Sequence, residues 1–205
     1  MLEVVYRIEG AQDVADFRIT REDVQDVLRL PPEARESLLV QEQDDVTHLA
    51  LFICEDVMDR ARAFFRELAG SGDGLHQHLD AVCVATEGVS HFVYFTFCGA
   101  RQERPVSQVE LELQAEIDKF LVLRTVCGLG GEGLIEALFE RFELVDGLSA
   151  QQASRYQVAN RAARRYARWL DRTLREQAPR ALRDARDLYR KPMAAKLEHI
   201  ERLAA

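Results

Sequence analysis

Lysine is nearly missing from this chain of 205 residues, which carries 3 lysines against 24 arginines. With alanine, valine and leucine abundant, that ratio reads as GC-rich coding and a bacterial origin. It also removes most of the weight that any one arginine would carry as a chosen bidentate donor. Cysteine is sparse. Cys54, Cys83, Cys98 and Cys127 lie 15 to 29 positions apart with no C-x-x-C pair, so reduced, buried thiols are expected rather than a disulfide framework. Long hydrophobic runs are lacking too: the densest, His91–Cys98, is far short of the ~20 residues a transmembrane helix needs, and no membrane span is expected. The opening MLEVVYRIEG has neither the basic start nor the continuous apolar core of a signal peptide, so the expected location is the cytoplasm. The chain has no G-x-x-x-x-G-K-[ST] phosphate loop, no internal repeat and no low-complexity linker.

What is present is a globular composition, 47% hydrophobic and 30% charged, long enough for one ordinary domain plus an appendage. The charge is unevenly placed. Residues 1–150 hold 13 Lys+Arg against 29 Asp+Glu, and residues 151–205 hold 14 against 6, so a net charge of −8 divides into an acidic body and a basic tail. This places a domain of 1–147 before a basic helical region of 148–205.

Leu2–Ile8 alternates apolar and polar residues as a half-buried strand does. Thr20, with Asp23 in the first turn, caps a short helix to Leu28, which Pro31-Pro32 ends. Leu38–Gln43 and Val46–Ile53, separated by Asp44-Asp45, predict a hairpin. Val57, Ala61, Phe64, Phe65 and Leu68 predict a helix opened by Asp56 and stopped by Gly70, before the loop 70–74. Leu75–Glu87 reads as helix, and after Gly88 the aromatic and β-branched run Ser90–Phe97 predicts a central, fully covered strand.

Ser107-Gln-Val-Glu110 is a capping box for a helix to about Thr125, with Val109, Leu113, Ile117, Phe120 and Leu121 on its buried face. A further helix is expected over Leu134–Val145. A second capping box at Ser149–Gln152 opens the basic region, which breaks at Pro179 and Pro192 into two or three helical segments. Strands early and helices late, without regular alternation, indicate an α+β fold: a small, largely antiparallel sheet covered by helices, with a long helical C-terminal region.

On a helical wheel Arg161, Arg164, Arg165, Arg168, Arg172 and Arg175 occupy one sector of about 21 Å at 1.5 Å per residue. Tyr156, Ala159, Ala163, Tyr166, Leu170, Thr173 and Leu174 lie opposite. This surface admits four readings: a solvated face, a tail packed on its own body or a second copy, an acidic partner that includes nucleic acid, or a membrane surface. The acidic body repels phosphates and so disfavours nucleic acid. An apolar face of alanine and tyrosine disfavours membrane insertion.

Gly128-Leu-Gly130-Gly131-Glu132-Gly133 satisfies G-x-G-x-x-G formally but follows a helix, and Glu132 sits where a pyrophosphate would need to go. A helix–helix turn is the better account. His76 and His78, with His91, are candidate metal ligands. Cys83, Glu87 and His91 at i, i+4 and i+8 would align a thiol, a carboxylate and an imidazole if one helix ran through Gly88. Glu112 and Glu116 share a helical face but lack the Glu-x-x-His partner of carboxylate-bridged metal bundles, and Lys119 is expected to pair with one of them on the surface.

The expectation is a protein that self-associates or docks an acidic protein partner through its C-terminal helices, with Tyr156, Tyr166, Leu170 and the six arginines as contact residues and no cofactor. The alternatives are an enzyme with a metal or thiol site between His76 and His91, and a weak nucleic-acid binder using the arginine stripe.

Overall fold

The structure is a computed structural model and describes residues 1–8, 12–25, 30–44, 46–68, 75–140 and 150–203. It is an α+β protein that divides into two compact units, Gly10–Val93 and Met1–Glu9 with Tyr94–Ala205. The compositional boundary near residue 147 lies inside the second of these.

In the Gly10–Val93 unit, the side chain of Asp13 accepts from the Ala15 amide and starts a 3₁₀ turn, Val14–Phe17, that leads into the short strand β1 (Arg18–Ile19). At α2 (Arg21–Gln25) the expected cap is present: Asp23 accepts from the Thr20 amide at 2.7 Å and the Thr20 hydroxyl accepts from the Asp23 amide at 3.4 Å. The hairpin also forms. β2 (Glu36–Gln43) and β3 (Val46–Ile53) pair antiparallel from Gln43 opposite Val46 to Glu36 opposite Ile53, and Asp44 turns the chain with φ 50°. β1 adds parallel to the other edge of β3, so the order is β1-β3-β2.

Leu51, Phe52 and Ile53 are buried, as are Val57, Ala61 and Phe64 of α3 (Glu55–Leu68). The outermost residue of the predicted α3 stripe, Phe65, is 40% exposed. Arg21 lies over the Phe52 ring at 4.8 Å, and Asp80 accepts from both Arg35, at 3.1 Å, and Arg60. Burial opposes ionisation of Asp80, but these hydrogen bonds outweigh it and hold the carboxyl below its usual range.

Two expected strands are helices. Leu2–Tyr6 is helix α1: Leu2 and Tyr6, four residues apart, are buried, while Val4, which a strand would have put on the same face, is 79% exposed. Five residues cannot hold a helix alone. Arg186 donates to the Val5 carbonyl at 2.7 Å and Arg190 to the Tyr6 carbonyl at 3.2 Å, which satisfies the helix end from elsewhere in the chain.

Ser90–Phe97 is likewise not a strand, because α4 runs unbroken from Leu75 to Gln102. Ser90 through Tyr94 are all buried. A segment covered all round shows no periodicity to separate strand from helix, and continuity with the preceding turns decides. A Cβ at Gly88 would stand 3.2 Å from the Glu36 carboxylate and 3.3 Å from Leu51, so the glycine is where the sheet approaches the helix. Within α4, His78–Gly99 is long and apolar enough to cross a membrane by length and composition, yet more than half of its apolar window is buried in the protein, as in a core helix.

The helical unit begins as its capping box dictates: Ser107 accepts from the Glu110 amide at 3.3 Å and opens α5 (Gln108–Thr125). Leu113, Ile117, Phe120 and Leu121 are buried as expected, but Gln114, Glu116, Asp118 and Lys119 are buried too, so α5 is enclosed rather than amphipathic. Lys119 does pair with Glu116, at 2.7 Å, but inside the protein and not on its surface.

The glycine string is the turn into α6 (Glu132–Ile135), with Gly128 at φ 68° and Gly131 at φ 80° and ψ −172°, a region only glycine enters readily. A π-helical turn follows at Glu136–Glu140. The expected helix end at Val145, the cap at Ser149 and the loop 70–74 lie outside the described residues. α7 (Ala150–Tyr189) is kinked at Gln177, two residues before Pro179, and Pro192 precedes α8 (Met193–Leu203), so both prolines mark breaks as expected.

Replacing Gly131 by alanine is expected to cost about 1–3 kcal/mol in urea unfolding through its backbone conformation. Gly99→Ala, at a helical site with nothing within 4 Å, is expected to stabilise by about 0.5–1 kcal/mol.

Candidate functional site

The face of α7 opposite its arginines packs on α5, with Ala159, Ala163, Tyr166, Leu170 and Thr173 all buried. Tyr166 and Leu170 are therefore core residues of this chain, and Tyr156 is half-buried. The Tyr166 hydroxyl donates to Asp184 at 2.6 Å, while burial, and then the Asp184 carboxylate, hold it well above the usual phenol range.

The arginines point the other way. Arg161, Arg165, Arg168, Arg172 and Arg175 are exposed and Arg164 is half-buried. Arg164 and Arg168 both reach Glu140, Arg168 at 3.0 Å, and Arg168 reaches Glu132 at 3.3 Å. These exposed pairs are worth under about 1 kcal/mol each. Asp171 is different: only 3% exposed, it accepts from Arg124 at 3.0 Å and from the Gly131 amide at 3.3 Å, and pairs with Arg175 at 2.9 Å. It ties α7 to the glycine turn. Arg161, Arg165 and Arg172 have no ionic partner among the described residues.

Continuity of α4 brings together what the i, i+4, i+8 spacing anticipated. Cys83 and Glu87 are half-buried and His91 is buried, on successive turns of one helix. A carboxylate oxygen of Glu87 and a ring nitrogen of His91 lie within 4.8 Å of each other. β2 supplies a residue that sequence spacing could not place there: Glu36 Oε2 is 3.8 Å from His91 Nδ1. His78 lies apart from this group, its Nε2 3.6 Å from Glu67 Oε1, and the His76 side chain lies outside the described residues.

The helical unit contains a polar cluster that the sequence reading missed. Lys196 of α8 is fully buried, donates to the side-chain amide oxygen Oε1 of Gln114 on α5 and lies 4.3 Å from the centre of the Tyr94 ring of α4. Around it, Tyr94 donates to Glu110, Arg104 forks onto Glu110 at 2.7 and 3.2 Å, and Tyr6 donates to Asp118, which also accepts from Gln114 at 2.9 Å. Burial lowers the Lys196 ammonium to about 8, against the pull of Glu110 and Asp118.

Burial also raises the Cys98 thiol, so it is a weak nucleophile at neutral pH. One signal for this cluster was present in the sequence. In a chain that writes its basic residues almost entirely as arginine, each retained lysine is informative, and two of the three are buried.

No family model, curated protein or solved structure matches this chain.

The lowered Lys196 value has a definite sign. Between about pH 8 and the ordinary lysine value of ~10.4 the unfolded chain binds a proton that the folded chain does not, so the cost of burying the ammonium is full below pH 8 and is relieved as pH rises. Unfolding free energies of the native chain and Lys196→Met, measured from pH 7 to 10, are expected to diverge above pH 8 in favour of the native chain, by up to about 1 kcal/mol per pH unit.

Proposed function

We propose that this protein acts by association, with the arginine face of α7 docking on the acidic surface of a second copy. The carrying observation is the division of labour on α7. Its apolar face is already used within the chain, while five arginines stay exposed along a single sector, three of them without an ionic partner among the described residues. A helix whose apolar side is occupied recognises through its charged side, and a row of guanidinium groups suits carboxylates.

The acidic counterpart is supplied by the same sequence. Residues 10–93 contain 17 Asp+Glu against 7 Lys+Arg. Each copy thus carries both halves of a complementary contact, which a two-fold assembly can use twice. Complementary charge of this kind steers encounter and sets register more than it adds affinity, and it is screened by salt. Nucleic acid is the poorer partner, since a chain of net charge −8 repels the phosphates its arginines would attract.

Sedimentation equilibrium across ionic strength tests this reading. The native chain is expected to exceed its 23.4 kDa monomer mass at low salt and to fall toward it near ~1 M NaCl, where the screening length is only about 3 Å. The variant Arg161→Glu/Arg165→Glu/Arg172→Glu, which leaves the Glu132, Glu140 and Asp171 pairs intact, is expected to remain monomeric at low salt with its melting temperature little changed. A native chain that is monomeric at every salt concentration, or a triple variant that keeps the native mass, would overturn it.

A further inference from the structure

We propose that the free edge of β2 binds an extended, basic segment of a partner protein, which adds a fourth strand to the three-stranded sheet of the Gly10–Val93 unit. Which backbone groups face that edge follows from the ladder. The Cys54 amide donates to the Arg35 carbonyl at 2.8 Å, so Arg35 and Cys54 form a hydrogen-bonded pair. Bonded and non-bonded pairs alternate along an antiparallel register, and this one is continuous from Glu36 opposite Ile53 to Gln43 opposite Val46. Ser37, Leu39, Gln41 and Gln43 are therefore bonded to β3, while the amides and carbonyls of Leu38, Val40 and Glu42 point away from it. They make no other backbone hydrogen bond among the described residues. β2 is the outer strand of the order β1-β3-β2, with no bulge or proline to spoil pairing.

The side chains specify the occupant. Residues 40–44 and 46–48 are exposed, so the tip of the hairpin projects with both faces in water. Two strands in that state are marginal, and a third stabilises them. Glu36, Leu38, Val40 and Glu42 share one face of β2, where Val40, 43% exposed, offers apolar surface to a β-branched neighbour. Charge sets the rest: residues 36–53 contain Glu36, Glu42, Asp44 and Asp45 and no Lys or Arg. Glu42 and Asp44 have no ionic partner among the described residues. A second copy would bring four more acids to this edge, whereas a strand with basic residues beside Glu36 and Glu42 and β-branched residues beside Leu38 and Val40 meets it in charge and shape.

The probe is a fluorescein-labelled peptide, Lys-Thr-Val-Thr-Val-Thr-Lys, whose alternate residues match Glu42, Val40, Leu38 and Glu36 in an antiparallel register. Anisotropy titration of the full chain is expected to give saturable one-to-one binding. At saturation, amide exchange followed by NMR is expected to slow at least tenfold at Leu38, Val40 and Glu42 and to stay unchanged at Leu39 and Gln41. Methylating the backbone nitrogens of the two valines, which face β2, is expected to abolish binding, and methylating that of the central threonine, which faces away, to keep it. Glutamate in place of both lysines is expected to weaken binding at least tenfold. Val40→Pro, which removes one outward amide from a strand edge, is expected to do the same, with thermal unfolding reporting its fold. If that variant does not fold, the methylated peptides carry the test on the native chain. Absence of saturable binding overturns the proposal, as does binding indifferent to methylation or to the sign of the peptide's charge. So does slow exchange at Leu38, Val40 and Glu42 that appears without peptide as protein concentration rises, because a second copy then occupies the edge. These readouts are confined to β2 and are independent of the arginine face of α7.

Discussion

The helical unit is organised around one constraint, a buried ammonium that must find its partners. Lys196 is fully enclosed, and its charge is tolerable only because Gln114 accepts from it, the Tyr94 ring faces it, and Glu110 and Asp118 lie close enough to favour the charged form. Those groups come from α4 and α5, so satisfying the lysine positions α8 against both. The requirement propagates. Glu110 is shared with Tyr94 and Arg104, Asp118 with Tyr6 and Gln114, and Tyr6 stacks on Tyr189 at 3.9 Å. A short N-terminal helix and the end of α7 are thereby held by the same network. Desolvated polar groups of this kind are directional in a way that alanine and leucine contacts are not, which suits them to specifying one arrangement of several helices.

The basic segment illustrates how burial redistributes the meaning of charge. By composition it is a cationic tail, but its structure separates two populations. Asp171 is buried, and with Arg124 and the Gly131 amide it anchors α7 on the turn between α5 and α6. Arg164 and Arg168 make exposed pairs, and Arg161, Arg165 and Arg172 make none among the described residues. A charge total cannot distinguish these populations, because the energy of a carboxylate depends on its solvent exposure and on how many donors meet it. The same holds on α5, where Glu116 and Lys119 have a surface spacing but lie inside the protein.

Legibility of the polar residues on α4 was partial, for a geometric reason. Cys83, Glu87 and His91 were visible as an aligned set because a helical repeat is a local property. Whether the set existed depended on the helix passing through Gly88 into a β-branched, aromatic run. Glu36 had no local signal at all. It lies 55 positions before His91, and only the packing of β2 on α4 brings the two together. Of His76 and His78, the more conspicuous pair in the sequence, His78 sits beside Glu67, and the His76 side chain lies outside the described residues.

Sequence alone determined the features whose physics is confined to a few residues: the caps at Thr20 and Ser107, the two-residue hairpin at Asp44-Asp45, the α3 stripe, the glycine turn and the breaks at Pro179 and Pro192. Hydrogen bonds between near neighbours and the stereochemistry of glycine and proline suffice for these. Only the tertiary structure decided that Leu2–Tyr6 and Ser90–Phe97 are helical, that Lys119 and Lys196 are buried, and that Glu36 meets His91. A helix end satisfied by arginines about 180 residues away, a segment covered on every side, and a carboxylate delivered by a neighbouring strand are all settled by long-range burial, and local pattern carries no record of what a side chain is buried against.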